Sequence, residues 1–138
     1  MEIEYKVNAV ISVGQFIDLL SVSGLGMRRP IDDLKCMKGM LDNSNLIVTA
    51  WCGGALIGIA RSVTDFNFAC YLSDLAVDKY YQKCGVGKKL LTITKEQLGN
   101  KCKLILLAAP AAKSYYEYIG FKNNECCWVL SGDQFIGK

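Results

Sequence analysis

The 138-residue chain has no histidine and only two prolines. Without histidine it cannot form a histidine-based catalytic triad, and any general base must be another residue type. The cysteines number seven, an odd count, and none has CxxC spacing, so a metal site is not expected. The seven are Cys36, Cys52, Cys70, Cys84, Cys102, Cys126 and Cys127. We expect most of them to be small buried side chains of a protein in a reducing compartment.

Long apolar runs and a strong excess of charge are also missing. The longest apolar run, Leu104 to Ala112, is too short for a bilayer and is interrupted by Pro110. The N-terminal MEIEYKV is acidic and alternating, unlike a secretory signal, so we expect a cytoplasmic protein that binds no membrane. A net charge of +3 with scattered lysines argues against a nucleic-acid surface. The composition, 51% hydrophobic and 21% charged, predicts one globular domain over residues 1–138.

A glycine-containing turn stands between a predicted strand and a predicted helix. Tyr71 to Val77 is rich in aromatic and aliphatic residues, and the turn Gln82–Gly87 leads into a helical pattern of apolar residues. Such a turn directs free backbone N–H groups toward the positive end of the helix dipole, which favours a phosphate or diphosphate. Nearby lysines at positions 83, 88 and 89 add positive charge. The stretch therefore predicts a site for a phosphate-bearing ligand.

Two other glycine motifs and a plain turn are the alternatives. A Rossmann fingerprint requires a third glycine where this chain has Leu90, and no βαβ unit surrounds the turn. A P-loop requires Ser or Thr after Gly87-Lys88, where this chain has Lys89. A strand-to-helix turn without a ligand remains open.

The remaining patterns predict an α/β domain around a mixed sheet, in the order β-α-α-β-β-β-α-β-α-β. Ser12 and Gln15 form a capping box for the first helix, and Asp32 or Asp33 caps the second. Cys52-Gly53-Gly54 predicts a hairpin. The predicted strands are residues 2–7, 46–51, 55–63, 71–77, 103–109 (central and buried on both faces) and 125–130.

Two motifs in this order resemble those of the GCN5-related N-acetyltransferases (GNAT family). LAVDKYYQKCGVGKKLL is similar to the family's acetyl-CoA motif, with Gln82, Gly85 and Gly87 at the characteristic positions, and SYYEYIGF (114–121) is similar to its Tyr-x-x-x-Gly-Phe helix. The Arg-Arg-Pro and Tyr-Leu-Ser-Asp-Leu-Ala-Val segments resemble those of small bacterial single-domain members. The resemblance implies the GNAT acyl-CoA N-acyltransferase fold, with a mostly antiparallel mixed sheet and about four helices.

The resemblance also implies how acetyl-CoA binds as cosubstrate. Its diphosphate would bind the backbone amides from Lys83 to Lys88, that is Lys83, Cys84, Gly85, Val86, Gly87 and Lys88. The pantetheine would pair with the strand edge at Leu75, Ala76 and Val77, where a splay or bulge next to the 103–109 strand would open the slot. The Leu75 amide would stabilise the oxyanion, and Tyr116 would protonate the leaving thiolate. Alternatively, Tyr116 is a core aromatic residue on an amphipathic helix.

The base and the acceptor site are less well specified. Asp74, a carboxylate in a mostly apolar strand, and Tyr71 are the candidate bases, although Asp74 equally suits a charge satisfied by a neighbouring helix cap or by backbone. Arg28 and Arg29 could bind an anionic group of the acceptor, with Tyr71 in an aromatic subsite; alternatively the arginines lie in a solvated loop or pair with Asp32 and Asp33. The implied activity is direct acetyl transfer to a small-molecule or peptide amine in a ternary complex. Alternatives are a non-catalytic acyl-CoA-binding sensor or partner subunit and, more weakly, a nucleotide-binding domain. The sequence is compatible with a homodimer.

Overall fold

The computed structural model describes residues 2–137, with regular elements between Glu4 and Tyr118. The strands are β1 (Glu4–Val7), β2 (Leu46–Cys52), β3 (Ala55–Thr64), β4 (Ala69–Val77) and β5 (Lys103–Ile105). The helices are α1 (Val13–Ser23), α2 (Leu34–Asp42), α3 (Val86–Glu96) and α4 (Lys113–Tyr118), and short 3₁₀ turns lie at Leu25–Arg28, Lys79–Tyr81 and Pro110–Ala112. No helix within residues 2–137 has the length and apolar character needed to cross a membrane.

The chain divides into two compact units, Met1–Leu106 and Leu107–Lys138. The first contains the sheet with α1, α2 and α3, and the second contains α4. The expected single N-acetyltransferase domain stays a prediction.

Local hydrogen bonds begin the first two helices at the predicted caps. Ser12 Oγ accepts from the Gln15 amide at 3.0 Å, and Gln15 Oε1 accepts from the Ser12 amide at 2.9 Å, which completes the capping box. Gly24 ends α1 with a φ of +90°, a conformation that glycine adopts without a Cβ clash. Asp33 caps α2 by accepting from the Cys36 amide at 3.0 Å. These contacts place the connection between α1 and α2, which carries the arginine pair.

The five strands form one sheet in sequence order, β1-β2-β3-β4-β5. Neighbours are antiparallel except β4 and β5, which are parallel. The predicted mixed, mostly antiparallel sheet with four helices is therefore confirmed.

Helices cover both faces of this sheet. One core combines Phe16, Leu19 and Leu20 of α1 and Met37 of α2 with sheet residues such as Ile59. On the opposite face α3 packs closely on β3, since a Cβ at Gly58 would lie 3.1 Å from Leu90 Cδ1 and 3.3 Å from Val86 Cγ1. Glycine at this position thus brings the start of α3 against the sheet.

Two predicted strands are wrong in extent or existence. The 103–109 run is paired only over Lys103–Ile105, and it lies at an edge of the sheet with Ile105 exposed rather than at its centre. A continuous apolar run cannot distinguish a strand buried on both faces from a short edge strand followed by irregular chain. Residues 125–130 form no strand in the described part of the chain, and Trp128 is 91% exposed.

Candidate active site

The loop before α3 has an unusual backbone. Lys83 has a φ of +64° and Gly85 a φ of +83°, so left-handed residues occur at alternate positions just before the helix. Backbone of this kind curves and turns successive N–H groups toward a common concave side, which binds anions. Gly85 is the N-cap of α3 and provides no side-chain acceptor for the first helical amides.

The amides of this loop lack acceptors within the described chain. The amide of Lys89 donates to Gly85 O at 3.1 Å, whereas those from Lys83 to Lys88 donate to no backbone or side-chain atom of residues 2–137. The lysines at 83, 88 and 89 are exposed around them. A run of unbonded N–H groups, a helix N-terminus and positive side chains together provide a site for a diphosphate.

Gln82 connects this loop to two other elements. Its Nε2 donates to Val77 O at the end of β4 at 2.8 Å and to Ser23 O at the end of α1 at 3.3 Å. The side chain predicted to belong to the coenzyme site therefore fixes the loop against the strand. Cys84 is exposed, and its Sγ donates to Gln82 O at 3.5 Å. The expectation that most cysteines are buried is wrong, since only Cys70 and Cys102 are buried and four of the seven are exposed.

In the part of β4 next to this loop, the backbone N–H and C=O groups of successive residues point alternately toward β3 and toward the opposite edge of the strand. The Asp78 amide donates to Ile57 O of β3 at 2.8 Å, and strand alternation then directs the N–H and C=O groups of Ala76 toward β3. The groups of Leu75 and Val77 point to the opposite edge. Pairing with β5 on that edge ends at Tyr71 and Ile105, although β4 continues to Val77. The N–H of Leu75 is thus directed to an edge that β5 does not pair.

Asp74 is fully buried between two guanidinium groups. Its Oδ1 accepts from Arg29 Nε and its Oδ2 from Arg61 Nε, both at 2.5 Å. The side chain of Asp74 is 0% exposed, and those of Arg29 and Arg61 are 22% and 5% exposed. Because each oxygen already accepts from a cation, this geometry argues against the predicted role of Asp74 as general base. It favours a structural role, in which two arginines rather than a helix cap or backbone satisfy the charge.

The two arginines of the α1–α2 connection have different surroundings. Arg29 pairs with Asp74, not with Asp32 or Asp33, so its guanidinium is already engaged. Arg28 is exposed, and its guanidinium has no ion-pair partner within residues 2–137. Tyr71 of β4 is 40% exposed and lies in register with Val63 and Ile105. Of the predicted acceptor-binding residues, Arg28 and Tyr71 are therefore available.

Tyr116 belongs to the second unit. It lies on α4, its ring contacts those of Tyr115 and Phe121 edge-on with centroids 5.5 Å apart, and Gly120 ends the segment with a φ of +107°. Burial, with a smaller effect of Tyr115, raises the pKa of the Tyr116 phenol above its ordinary value. The phenol is therefore protonated at neutral pH and can donate a proton.

Sequence reasoning missed Arg61. It is 4% exposed on β3, where it is paired with Asp74 and donates from Nη1 to Met40 O at 3.2 Å and to Ser44 Oγ at 2.9 Å. The available signal was an arginine inside an otherwise uncharged strand, next to a strand that also contains one charge. In the part of the chain that the structure describes, no three His, Cys, Asp or Glu side chains are grouped to hold a metal ion.

Comparison with known proteins places the chain in a family. Residues 23–127 match the model of the acetyltransferase (GNAT) domain. A ycf52-like N-acetyltransferase of Prochlorococcus marinus, itself uncharacterized, is 33% identical over 73% of this chain, which spans 60% of that relative's length.

Solved structures share the fold at low sequence identity. A GNAT-family acetyltransferase of Streptococcus pneumoniae superposes with a TM-score of 0.75 at 20% identity, over 94% of this chain and 98% of that one. An aminoglycoside N-acetyltransferase solved in complex with CoA gives a TM-score of 0.71 at 16% identity, over 96% of each chain. The family match, the mixed sheet and the amide-lined loop before α3 agree, and the chain belongs to the GNAT acetyltransferase family.

Proposed function

We propose that this chain transfers the acetyl group of acetyl-CoA to an amine by direct attack in a ternary complex. The observation that carries the proposal is the row of backbone amides from Lys83 to Lys88 that have no acceptor within residues 2–137. A diphosphate supplies acceptor oxygens and negative charge, and both suit the start of α3. A related aminoglycoside acetyltransferase of the same fold was solved with CoA.

The pantetheine arm would follow the edge of β4. The outward N–H and C=O groups of Leu75 and the N–H of Val77 would pair with its amides as a further strand would, whereas Val77 O already accepts from Gln82 Nε2. Ala76, whose own groups face β3, would contribute by its position between them. The coenzyme would then extend from the Lys83–Lys88 amides along β4 toward Leu75.

The chemistry requires an oxyanion donor and a proton donor. As the amine nitrogen attacks the thioester carbon, a C–N bond forms and the C–S bond breaks. The N–H of Leu75 would stabilise the oxyanion, and the Tyr116 phenol would give its proton to the departing thiolate. The amine's proton would leave through Tyr71 or water, because both oxygens of Asp74 are bound to arginines.

The acceptor would be a small-molecule or peptide amine. Arg28, exposed and free of ion pairs within the described chain, would bind an anionic group on it, and Tyr71 would contact its apolar part. The free thiols suit a reducing compartment such as the cytoplasm. Assembly as a homodimer stays a prediction.

Tyr116→Phe tests the proposal, with Tyr118→Phe as the matched control. Both are on α4, but Tyr118 is 88% exposed. In an assay of CoA release from acetyl-CoA with a panel of aminoglycoside, aromatic and lysine-peptide amines, Tyr116→Phe should lower kcat about 100-fold or more. Acetyl-CoA affinity and the activity of Tyr118→Phe should stay at the wild-type level.

A non-catalytic acyl-CoA sensor on the same fold is the alternative. It would bind acetyl-CoA in a calorimetric titration yet release no CoA with any amine, and Tyr116→Phe would then change nothing. Wild-type turnover that Tyr116→Phe leaves intact would contradict the assigned role of the phenol. Failure to bind acetyl-CoA would contradict both functions.

A further inference from the structure

The ion cluster formed by Arg29, Asp74 and Arg61, here called the Arg–Asp–Arg cluster, joins two segments that the sequence singled out separately. Arg29 comes from the Arg-Arg-Pro connection after α1, and Asp74 from the Tyr-Leu-Ser-Asp-Leu-Ala-Val strand, 45 residues away. Arg61 of β3 completes it. None of the three is assigned a catalytic step, although Asp74 directly precedes Leu75.

The cluster lies at a β-bulge. Arg61 is opposite Asp74, but Ser62 is opposite Leu72, so Ser73 is an extra residue in β4. Both guanidiniums also bind this extra residue: Arg29 Nη2 donates to Ser73 O at 2.7 Å, and Arg61 Nη2 donates to Ser73 Oγ at 2.9 Å. The bulged residue and the carboxylate after it are therefore held by the same two side chains.

The bulge determines where the Leu75 amide points. With it, Ala76 is opposite Ile59 and its groups face β3, which leaves the Leu75 amide on the other edge. If the register that pairs Ser62 with Leu72 continued without the extra residue, Leu75 itself would be opposite Ile59. Its N–H would then enter the β3 ladder, because a one-residue shift reverses the direction of every group.

We propose that Arg29 and Arg61 are positioning residues which, by holding the Ser73 bulge, direct the Leu75 N–H toward the thioester carbonyl. The inference rests on the proposed function for the identity of the reacting carbonyl. Under this proposal Arg29 orients the oxyanion donor and does not bind the acceptor. A small displacement of such a donor is enough to slow the chemical step while leaving coenzyme binding at the Lys83–Lys88 amides intact.

The test compares Arg29→Gln with Val48→Ala. Arg29 is partly exposed, so its replacement leaves a milder defect than a change at buried Arg61. Val48→Ala removes fully buried side-chain atoms from β2 and controls for lost stability. Ser73→Ala, which removes only the hydroxyl that accepts from Arg61, covers the case in which Arg29→Gln does not fold.

Two readouts separate positioning from mere stability. The first is the kinetic split with the best acceptor of the amine panel, measured well below the melting temperature. Arg29→Gln should lower kcat about ten- to hundred-fold with an unchanged KM for acetyl-CoA. The second is the infrared carbonyl band of bound [1-¹³C]acetyl-CoA, which shifts when a donor polarises the carbonyl and requires no turnover. The shift should be reduced in Arg29→Gln, less so in Ser73→Ala, and unchanged in Val48→Ala.

Each contrary result has a distinct meaning. Arg29→Gln with lower stability but a wild-type band and kcat would make the cluster purely structural and overturn the inference. So would a raised acceptor KM at constant kcat, which would return Arg29 to acceptor binding. If wild-type protein acetylates no amine in the panel, the proposed function fails, whereas the comparison of carbonyl bands still decides the inference.

Discussion

Replacing Gly85 by alanine tests the diphosphate site through the backbone alone. Gly85 has a φ of +83°, and a Cβ there would meet no atom within 4 Å. Holding alanine in the left-handed region destabilises the folded state by about 1–2 kcal/mol. Alanine also lowers the conformational entropy of the unfolded chain, which offsets about 0.4–1 kcal/mol of that loss. The net loss, roughly 0.5–1 kcal/mol, should lower the melting temperature by about 2–5 °C.

The chain offers a matched control in Gly54. Its φ is +82°, and a Cβ there would also meet no atom within 4 Å. It belongs to the turn between β2 and β3 and not to the loop before α3. Gly54→Ala therefore imposes the same strain elsewhere in the sheet, and its loss of stability should be similar.

The two variants should differ in coenzyme affinity. To relieve its strain, an alanine at position 85 must rotate the peptide groups that orient the amides from Lys83 to Lys88. Losing one hydrogen bond to a charged acceptor costs about 1.5–3 kcal/mol, so the dissociation constant of CoA should rise about ten- to hundred-fold. Gly54→Ala should bind CoA as the wild type does.

Calorimetric titration with CoA and with pantetheine, which lacks the diphosphate, measures this difference. Thermal shift gives a second measure, since CoA at 100 times its dissociation constant stabilises the wild type by about 2.7 kcal/mol. The variant should lose affinity for CoA and keep its affinity for pantetheine. Equal CoA affinity in Gly85→Ala and Gly54→Ala, with equal losses of stability, would refute the assignment of the diphosphate to these amides.

Two further predictions concern packing and ionisation in the first unit. Gly58→Ala should cost about 1–3 kcal/mol in thermal unfolding, because its Cβ would lie 3.1 Å from Leu90 Cδ1 and 3.3 Å from Ala50 Cβ; an unchanged melting temperature would contradict the close packing of α3. Burial raises the pKa of the Cys70 thiol, so the folded state keeps this proton to higher pH than the unfolded chain does. The contribution of this proton to the free energy of unfolding is complete below the unfolded pKa of about 8.5 and should be lost as pH rises above it. Iodoacetamide should modify exposed Cys84 before Cys70. Faster modification of Cys70 would contradict its burial.

Features that depend on neighbouring residues could be predicted from the sequence. The capping box was specified by Ser12 and Gln15, three positions apart, and an aspartate cap for α2 was predicted at Asp32 or Asp33, of which the structure uses Asp33. The loop before α3 was recognised for the same reason, because Gly85 and Gly87 stand where a helical pattern of apolar residues begins. The amide-lined site is thus a local feature of the chain.

Features that depend on strand register could not be predicted. Arg61 and Asp74 are 13 residues apart, and Arg29 and Asp74 are 45 apart, so no helical or strand period connects them. The resemblance implied a splay or bulge near Leu75–Val77, but no glycine or proline in β4 indicates that the extra residue is Ser73. The apolar run after Lys103 was read as a central strand because composition does not show which strands pair.

A charged cluster at this point in β4 has a physical reason that stability does not supply. Buried ion pairs rarely stabilise a fold more than apolar residues of similar size, because removing the charges from water offsets their attraction. An apolar side chain at position 74 would have no hydrogen-bond requirement that ties it to one register. A carboxylate with a guanidinium on each oxygen is satisfied only in the register that contains the Ser73 bulge, since the shifted one would place Asp74 on the opposite face, away from Arg29 and Arg61. The charges therefore favour one register of β4 on β3 over the other and add little to the stability of the fold. The favoured register is the one in which the Leu75 amide does not hydrogen-bond to β3.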